Sequence, residues 1–471
     1  MIKIESKKNK FTYNVYHVTK AFYPKEDIVQ TVDEKQEPLV KIHLPEGTCF
    51  SLAPEECVQT EDVQEEKRDV TKKVYQFLSK QTGQELAWGM LTGVRPTKLV
   101  MQKIEQGMTK EEIFGFLKEQ YCVGDKKAQI AYEIACREKA LLDQLDCKNG
   151  YSLYAGIPFC PSICSYCSFS SSPIAEWKDQ VDRYLDAMIK ELKATAKLMQ
   201  GKPLDTVYIG GGTPTTLEAD QLDRLLGTIR ENFDLEFTVE AGRPDSITRE
   251  KLEVIRKYPV TRISVNPQTM QQKTLDLVGR KHTVEDVEQI FHLARELGFD
   301  NINMDLIAGL PGEDAADMQD TLEKIEKLHP DSLTVHALAI KRAAKFGQEG
   351  RTMDPGTEIT QMVEAAAASA ERMGLVPYYL YRQKNIAGNF ENVGYAEQDK
   401  AGVYNILIME ERQTIIACGA GSTTKLVLPE KIKTSSGKET NLIRVENVKN
   451  ITEYIDRIDE MIERKEALFE K

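Results

Sequence analysis

Apolar residues along this chain follow two rhythms, and the change between them falls near Gly150. Beyond it, short runs of apolar and β-branched residues alternate with longer segments whose apolar positions recur every three to four residues. The short runs are residues 151–157, 206–209, 237–240, 262–265, 302–307 and 332–338. Between the first two, residues 182–198 carry Tyr184, Leu185, Met188, Ile189 and Leu192 at helical spacing. Strand–helix alternation of this length implies parallel pairing with right-handed crossovers. Six such units over 150–345 predict an α/β fold, a partial (β/α)6 TIM-like barrel short of the closed eight. The strands end in cysteines, glycines, Glu240, Gln268 or Asp305, and in parallel α/β folds the carboxyl ends of strands build the site.

Residues 1–149 read as a separate α+β accessory domain. Residues 11–18 and 39–44 have the aromatic and β-branched content of strands. Val70, Val74, Phe77 and Leu78 follow at helical spacing, and Thr109-Lys110-Glu111-Glu112 has the form of a capping box. Between these lies the glycine-punctuated stretch 89–98 with the cations Arg95 and Lys98, which an ordinary interhelical turn explains equally well. Residues 346–471 form a looser C-terminal α+β segment expected to cap the substrate. In it, residues 378–385 and 419–425 stand out, and an amphipathic helix carries Ile451, Tyr454, Ile455, Ile458, Met461 and Ile462.

Length and charge narrow the function. A chain of 471 residues suits about two or three domains. Its 62 Lys+Arg against 74 Asp+Glu leave a net charge of −12, the opposite of the basic footprint of a general nucleic-acid binder; a local basic pocket stays open. No run approaches the roughly 18 apolar residues of a membrane span, and the first residues lack the apolar core of a signal peptide. A cytoplasmic location is expected.

The nine cysteines do not read as a disulfide framework. Cys49, Cys57, Cys122, Cys136, Cys147 and Cys418 stand singly and are expected to be buried filler. Cys160, Cys164 and Cys167 form a Cys-x3-Cys-x2-Cys cluster just after a strand. Cubane iron–sulfur clusters usually take four thiolates, so three would leave one iron open to a small molecule. Structural zinc usually takes four ligands, often as two separated pairs, and no partner pair is apparent. Three inert thiols are the plain alternative.

The segment from Tyr154-Ala155-Gly156-Ile157-Pro158-Phe159-Cys160 to Cys167-Ser168-Phe169 resembles the radical S-adenosylmethionine (SAM) superfamily. More narrowly it resembles the oxygen-independent coproporphyrinogen III oxidase group, HemN and HemW. Further matches follow in order: Gly210-Gly211-Gly212-Thr213-Pro214-Thr215, Thr238-Val239-Glu240, Arg262-Ile263-Ser264-Val265, Gln268, Gly279-Arg280-Lys281-His282, and Asp305-Leu306-Ile307-Ala308-Gly309-Leu310-Pro311-Gly312. The Gly-Val-Arg-Pro-Thr-Lys and Tyr-Arg-Gln-Lys-Asn stretches look like the HemZ subgroup.

The resemblance implies that Cys160, Cys164 and Cys167 hold a [4Fe-4S] cluster whose open iron SAM chelates. Gly211 and Gly212 would let backbone approach SAM closely, Thr213 would add a hydroxyl, and Glu240 would accept hydrogen bonds from its ribose or amino group. Tyr154 and Ala337 would border the same cavity. Tyr166, Gln268, Arg280 and Asp305 match positions that contact a second SAM molecule. A plain turn also accounts for the glycines, and a loop cap for Asp305. Because Asp305 lies in an apolar strand, its carboxylate needs a partner, for which Arg280 is the candidate. His282 and His336 are as readily packed as functional.

The implied reaction is oxidative decarboxylation of two propionates of coproporphyrinogen III to vinyl groups, giving protoporphyrinogen IX. A reduced carrier such as flavodoxin or ferredoxin would supply an electron. A tetra-acid substrate calls for local cations, and Arg95, Lys98, Lys341, Arg342, Arg382 and Lys384 are candidates; solvated surface charge explains each equally well. Two departures bear on the substrate. HemN oxidases follow the third cysteine with residue-Cys, whereas Ser168-Phe169 stands here, as in the haem-chaperone relatives HemW. The His-Asn-x-x-Tyr-Trp signature of those chaperones is also missing. A haem carrier, or a radical enzyme that methylates or opens haem, are the alternatives.

Overall fold

The computed structural model describes residues 1–93, 95–233, 235, 237–341, 343–350, 357–382, 390–434, 437 and 439–469. Two compact units emerge. One comprises Met1–Arg137 with residues 380–382 and 390–392; the other comprises Glu138–Thr352, Glu358–Tyr379 and Val393–Lys471.

In the first unit, strands β1 (Ile2–Ser6), β2 (Ile28–Val32), β3 (Val40–His43) and β4 (Cys49–Leu52) form a sheet in the order β2-β1-β3-β4. β1 and β2 are parallel and joined by helix Asn9–Phe22. That helix corrects the strand expected at residues 11–18. Phe11, Val15, Val18 and Phe22 are buried at intervals of three and four, so the helical period decides over the strand-forming composition. They pack with Ile2, Ile4, Val70, Val74 and Leu78 in one core. Helix Val63–Thr82 starts at Asp62, whose carboxylate accepts from Gln64 N at 2.8 Å. The Thr109 capping box is formed in both directions, with Glu112 N donating to Thr109 Oγ1 and Thr109 N to Glu112 Oε2. Thr97 and Lys98 open helix Thr97–Glu105.

The second unit is built on β5 (Tyr151–Ile157), a short pair β6 (Phe159–Cys160) and β7 (Ser172–Pro173), then β8 (Leu204–Gly211), β9 (Phe237–Gly242), β10 (Val260–Val265), β11 (Ile302–Ala308) and β12 (Ser332–Ala337). β13 (Val376–Tyr381) and β14 (Asn392–Ala396), of which residues 380–381 and 392 are assigned to the first unit, follow, and then β15 (Thr414–Cys418), β16 (Thr423–Lys433) and β17 (Glu439–Glu446). The main sheet runs β13-β14-β12-β11-β10-β9-β8-β5-β15-β16-β17. From β5 to β12 the six strands expected from the sequence pair in parallel and in chain order. β5 and β11 are buried on nearly every residue, as expected where helices cover a parallel sheet. Helix Val181–Leu198 turns Tyr184, Leu185, Met188 and Leu192 inward.

Among the described residues, the sheet does not close on itself. β14 pairs antiparallel to β12, and β15 adds a seventh parallel strand beside β5. The amphipathic tail is two helices, Ile451–Asp456 and Ile458–Phe469. Of the six single cysteines, only Cys57 and Cys418 are buried; Cys122, Cys136 and Cys147 are half-buried and Cys49 is exposed, which narrows the filler expectation. Among the described residues, no helix is long and apolar enough to cross a membrane.

Candidate functional site

The site gathers at the carboxyl ends of the parallel strands. The cysteine loop springs from β5, and its stem is closed by the pairing of Phe159 with Ser172 and Cys160 with Pro173. The turn after β8 lies directly against it. Gly212 N donates to Ile157 O at 2.6 Å and Thr213 N to Phe159 O at 2.7 Å. A Cβ on Gly212 would stand 2.4 Å from Phe159 O and 3.0 Å from Cys160 Sγ, and Gly211 has φ +110°. Both positions therefore require glycine so that this backbone can touch the loop. Thr213 Oγ1 donates to Cys160 Sγ at 3.6 Å.

Two further backbone anchors hold the loop. Ser165 N donates to Val278 O and Phe346 N to Ser165 O, each at 3.0 Å. Two buried guanidinium groups clasp it as well. Arg243 donates to Ser162 O at 2.8 Å and to Cys164 Sγ at 3.5 Å, while its other edge pairs with Asp245 at 2.6 Å. Arg280 donates to Tyr166 Oη at 3.1 Å, Asn266 O at 2.5 Å and His282 Nε2 at 2.9 Å. His282 is thereby kept neutral: burial first, then Arg280, push its pKa down to about 4. Burial and the neighbouring thiols Cys164 and Cys160 raise the Cys167 thiol. Among the described residues, no three His, Cys, Asp or Glu converge closely enough for one metal ion. A cubane places each ligand on a separate iron, so thiols spread along one loop around glycine backbone fit a cluster better than a single ion.

On the neighbouring strands lie two half-buried carboxylates with opposed tendencies. Glu240, on β9, accepts from Tyr208 Oη and from Ser264 Oγ at 2.6 Å. Burial, then the nearby Asp305, raise its pKa. For Asp305, on β11, burial also pushes upward, but hydrogen bonds from His336, Asn303 and Thr334 outweigh it and hold the carboxyl below its usual value. Asn303 Nδ2 lies 2.7 Å from Asp305 Oδ1, and His336 Nε2 lies 3.8 Å from Oδ2. The partner of Asp305 is thus this group, not Arg280, whose donors are committed to Tyr166, Asn266 and His282. The two carboxyls are thus shifted in opposite directions, Glu240 upward and Asp305 downward.

Gln268 is held at φ +70°, a conformation uncommon outside glycine. Its N–H donates to Asp305 O and its carbonyl accepts from Ile307 N, each at 2.9 Å. Tyr154 stacks near Tyr208 and Tyr404, whose own rings are 4.4 Å apart. Ala337 is buried at the end of β12, opposite Ala308. Exposed Lys341 acts electrostatically on the Cys167 thiol.

Arg95, Lys98 and Arg382 belong to the first unit. Lys98 is exposed and Arg95 half-buried. Arg382 is buried, donates to Leu91 O and lies over the Trp88 ring at 5.9 Å. Burial pushes its pKa down to about 10. Trp88 Nε1 in turn donates to Glu391 at 2.7 Å. The glycine-punctuated stretch and the Tyr-Arg-Gln-Lys-Asn segment are therefore linked through Arg382. Arg342 and Lys384 lie outside the described residues. Sequence reasoning missed Arg243, Tyr208, Asn266 and Tyr404; an arginine one residue past a strand, in Gly242-Arg243-Pro244, was the available signal.

Comparison with known proteins places this arrangement. Residues 154–325 match the radical SAM superfamily. The oxygen-independent coproporphyrinogen-III oxidase-like protein HemZ of Bacillus subtilis is 41% identical over 421 residues, covering 86% of this chain and 82% of that protein. The heme chaperone HemW of B. subtilis is 35% identical over 236 residues, 48% of this chain and 62% of HemW. The oxygen-independent coproporphyrinogen III oxidase of Escherichia coli is 35% identical over 188 residues, 39% of this chain and 41% of the enzyme. The solved structure of E. coli coproporphyrinogen III oxidase (HemN) superposes with a TM-score of 0.53 at 23% identity, over 69% of this chain and 73% of that one, which establishes the shared fold. A [4Fe-4S] cluster and SAM are accordingly the cofactors of this protein. The chain belongs to the radical SAM superfamily, in the family of HemZ-like relatives of oxygen-independent coproporphyrinogen III oxidase.

Proposed function

We propose that Cys160, Cys164 and Cys167 hold the cluster and that the protein oxidatively decarboxylates coproporphyrinogen III propionates to give protoporphyrinogen IX without oxygen. The observation that carries the chemistry is the shared mouth of the strands, where the cysteine loop, the Gly211-Gly212-Thr213 turn and the Glu240–Asp305 pair meet. The substrate reading is supported by the HemZ relative, named as coproporphyrinogen-III oxidase-like and aligned over 86% of this chain. Cluster and SAM, when bound, supply a carbon radical able to abstract a propionate β-hydrogen after one electron enters from a flavodoxin- or ferredoxin-class donor.

The chain's own residues do the rest. Gly211 and Gly212 keep the turn free of side chains where SAM is to lie, with Tyr154, Thr213 and Ala337 around it. Glu240 accepts from ribose hydroxyls, while Asp305 receives an amino group or a substrate N–H. Gln268, Arg280 and Tyr166 border that second position. In the first unit, Arg382 braces the glycine-punctuated stretch through Leu91.

Anaerobic reconstitution followed by incubation with SAM, reductant and coproporphyrinogen III is the test. SAM-dependent protoporphyrinogen formation is expected; its absence from a preparation with a full cluster overturns the substrate reading. Cys164→Ala is expected to remove the visible cluster absorbance near ~400 nm and the iron with it; unchanged iron refutes the cysteine assignment. One observation favours a second reading: Ser168-Phe169 follows the third cysteine as in the haem-chaperone relatives. A stable Soret band on haem addition, without turnover, supports that carrier role.

A further inference from the structure

We propose that Arg243 sets the reduction potential of the cluster and that Asp245 moderates it. The inference rests on the cysteine assignment above. Arg243 follows β9 directly and is 4% exposed. Nε and Nη2 are bound to Asp245 at 2.9 and 2.6 Å, which leaves Nη1 aimed at the loop. There it donates to Ser162 O at 2.8 Å, Ser162 Oγ at 3.0 Å and Cys164 Sγ at 3.5 Å. The guanidinium is thus held at both edges, by Asp245 on one and the loop on the other.

The other two sulfurs receive weaker support. Cys160 Sγ accepts from the neutral hydroxyl of Thr213 at 3.6 Å, and Cys167 accepts from the backbone N–H of Phe169. Among the described residues, Cys164 alone of the three has a charged donor on its sulfur. Reduction adds one electron to the cluster and neither makes nor breaks a bond. A positive N–H donor on a ligand sulfur, in a site sheltered from water, stabilises that added charge and raises the potential. Asp245 places a negative charge behind the guanidinium and works in the opposite sense. A clamp serving only to shape the loop would not give the two residues opposite electrochemical signs.

The test is a dithionite titration of the anaerobically reconstituted full-length protein without SAM, followed by electron paramagnetic resonance. Arg243→Gln is expected to make reduction about tenfold less favourable, ~59 mV more negative for a one-electron couple. Arg243→Lys, keeping the charge without the fork, is expected to fall between that variant and wild type. Asp245→Asn is expected to shift the other way, toward easier reduction. Wild-type potentials in Arg243→Gln and Asp245→Asn, both with full iron, overturn the proposal. Should Arg243→Gln hold no iron, Asp245→Asn decides alone: a potential unchanged or more negative overturns it. Failure of the wild-type chain to take up iron is a separate result and overturns the cysteine assignment instead.

Discussion

Replacing Lys465 by methionine should strand a carboxylate in the middle of the second unit. Glu191, on helix Val181–Leu198, is fully buried. Oε1 accepts from Lys465 Nζ at 2.5 Å and Asn447 Nδ2 at 2.7 Å, and Oε2 from Gly419 N at 2.8 Å and Tyr454 Oη at 2.5 Å. Lys465, 2% exposed, brings the one cation on Glu191 among the described residues. Burial acts to lower its pKa, but Cys418 and Glu191 beside it outweigh that and raise it, so the ammonium stays charged. Deleting one partner of a buried ion pair costs about 3–5 kcal/mol. Three neutral donors remain on Glu191, which favours the lower end, about 3 kcal/mol, a large part of the roughly 5–15 kcal/mol that holds a domain folded. Urea denaturation of the cluster-free protein, followed by circular dichroism, reads the loss. Adding Glu191→Gln removes the stranded charge and should recover at least half of it, a coupling that a double-mutant cycle measures. The damage should also reach the cysteine loop. Gly419 and Ala420 lie beside Tyr184, whose hydroxyl donates to Gly156 O at 2.7 Å, so iron retention should fall too. A Lys465→Met loss below about 1 kcal/mol, or no recovery in the double variant, would refute the reasoning.

Three other outcomes follow from the site. Gly212→Ala drives a methyl group against Phe159 O and Cys160 Sγ and should leave a folded chain that loses most of its iron on reconstitution; wild-type iron content would count against the packing argument. Glu240→Gln should stabilise the cluster-free protein at neutral pH while abolishing SAM cleavage. The folded pKa of Glu240 is raised, so its penalty grows as pH rises above the unfolded value and is absent below it; denaturation at several pH values checks the trend. For His282, folded near 4 against about 6.5 unfolded, stability should fall by up to about 3 kcal/mol as pH drops from 6.5 toward 4. His282→Gln should flatten that slope, and an unchanged slope would show that other groups cause it.

Much of the second unit is readable from local pattern because each parallel strand is a short apolar run between amphipathic helices, and because three thiols within eight residues suit few chemistries besides metal ligation. What escaped depends on pairing across the chain. Ile415-Ile416-Ala417-Cys418 is an apolar run like many others until it is seen beside β5. The support of Asp305 comes from Asn303 on its own strand and from Thr334 and His336 on the next, a relation set by register that no spacing rule reveals. Residues 11–18 misled in another way: Phe11, Val15 and Val18 favour strands by type but lie on one helical face. Arg382 shows a third limit, since a cation next to tyrosines reads as a ligand for acids until its burial against Leu91 O and Trp88 is seen.

The position of β15 has a consequence for biosynthesis. β5 leaves the ribosome with Tyr151, whereas the strand that flanks it on one side, Thr414–Cys418, follows only after all the others of the parallel run. Synthesis proceeds from the amino end, and units fold as their parts emerge. Until Thr414–Cys418 docks, the root of the thiol-bearing loop borders an open sheet edge. Iron delivery to the nascent polypeptide is therefore best timed after this late strand has zipped into place, and chains stalled before it should be poor acceptors.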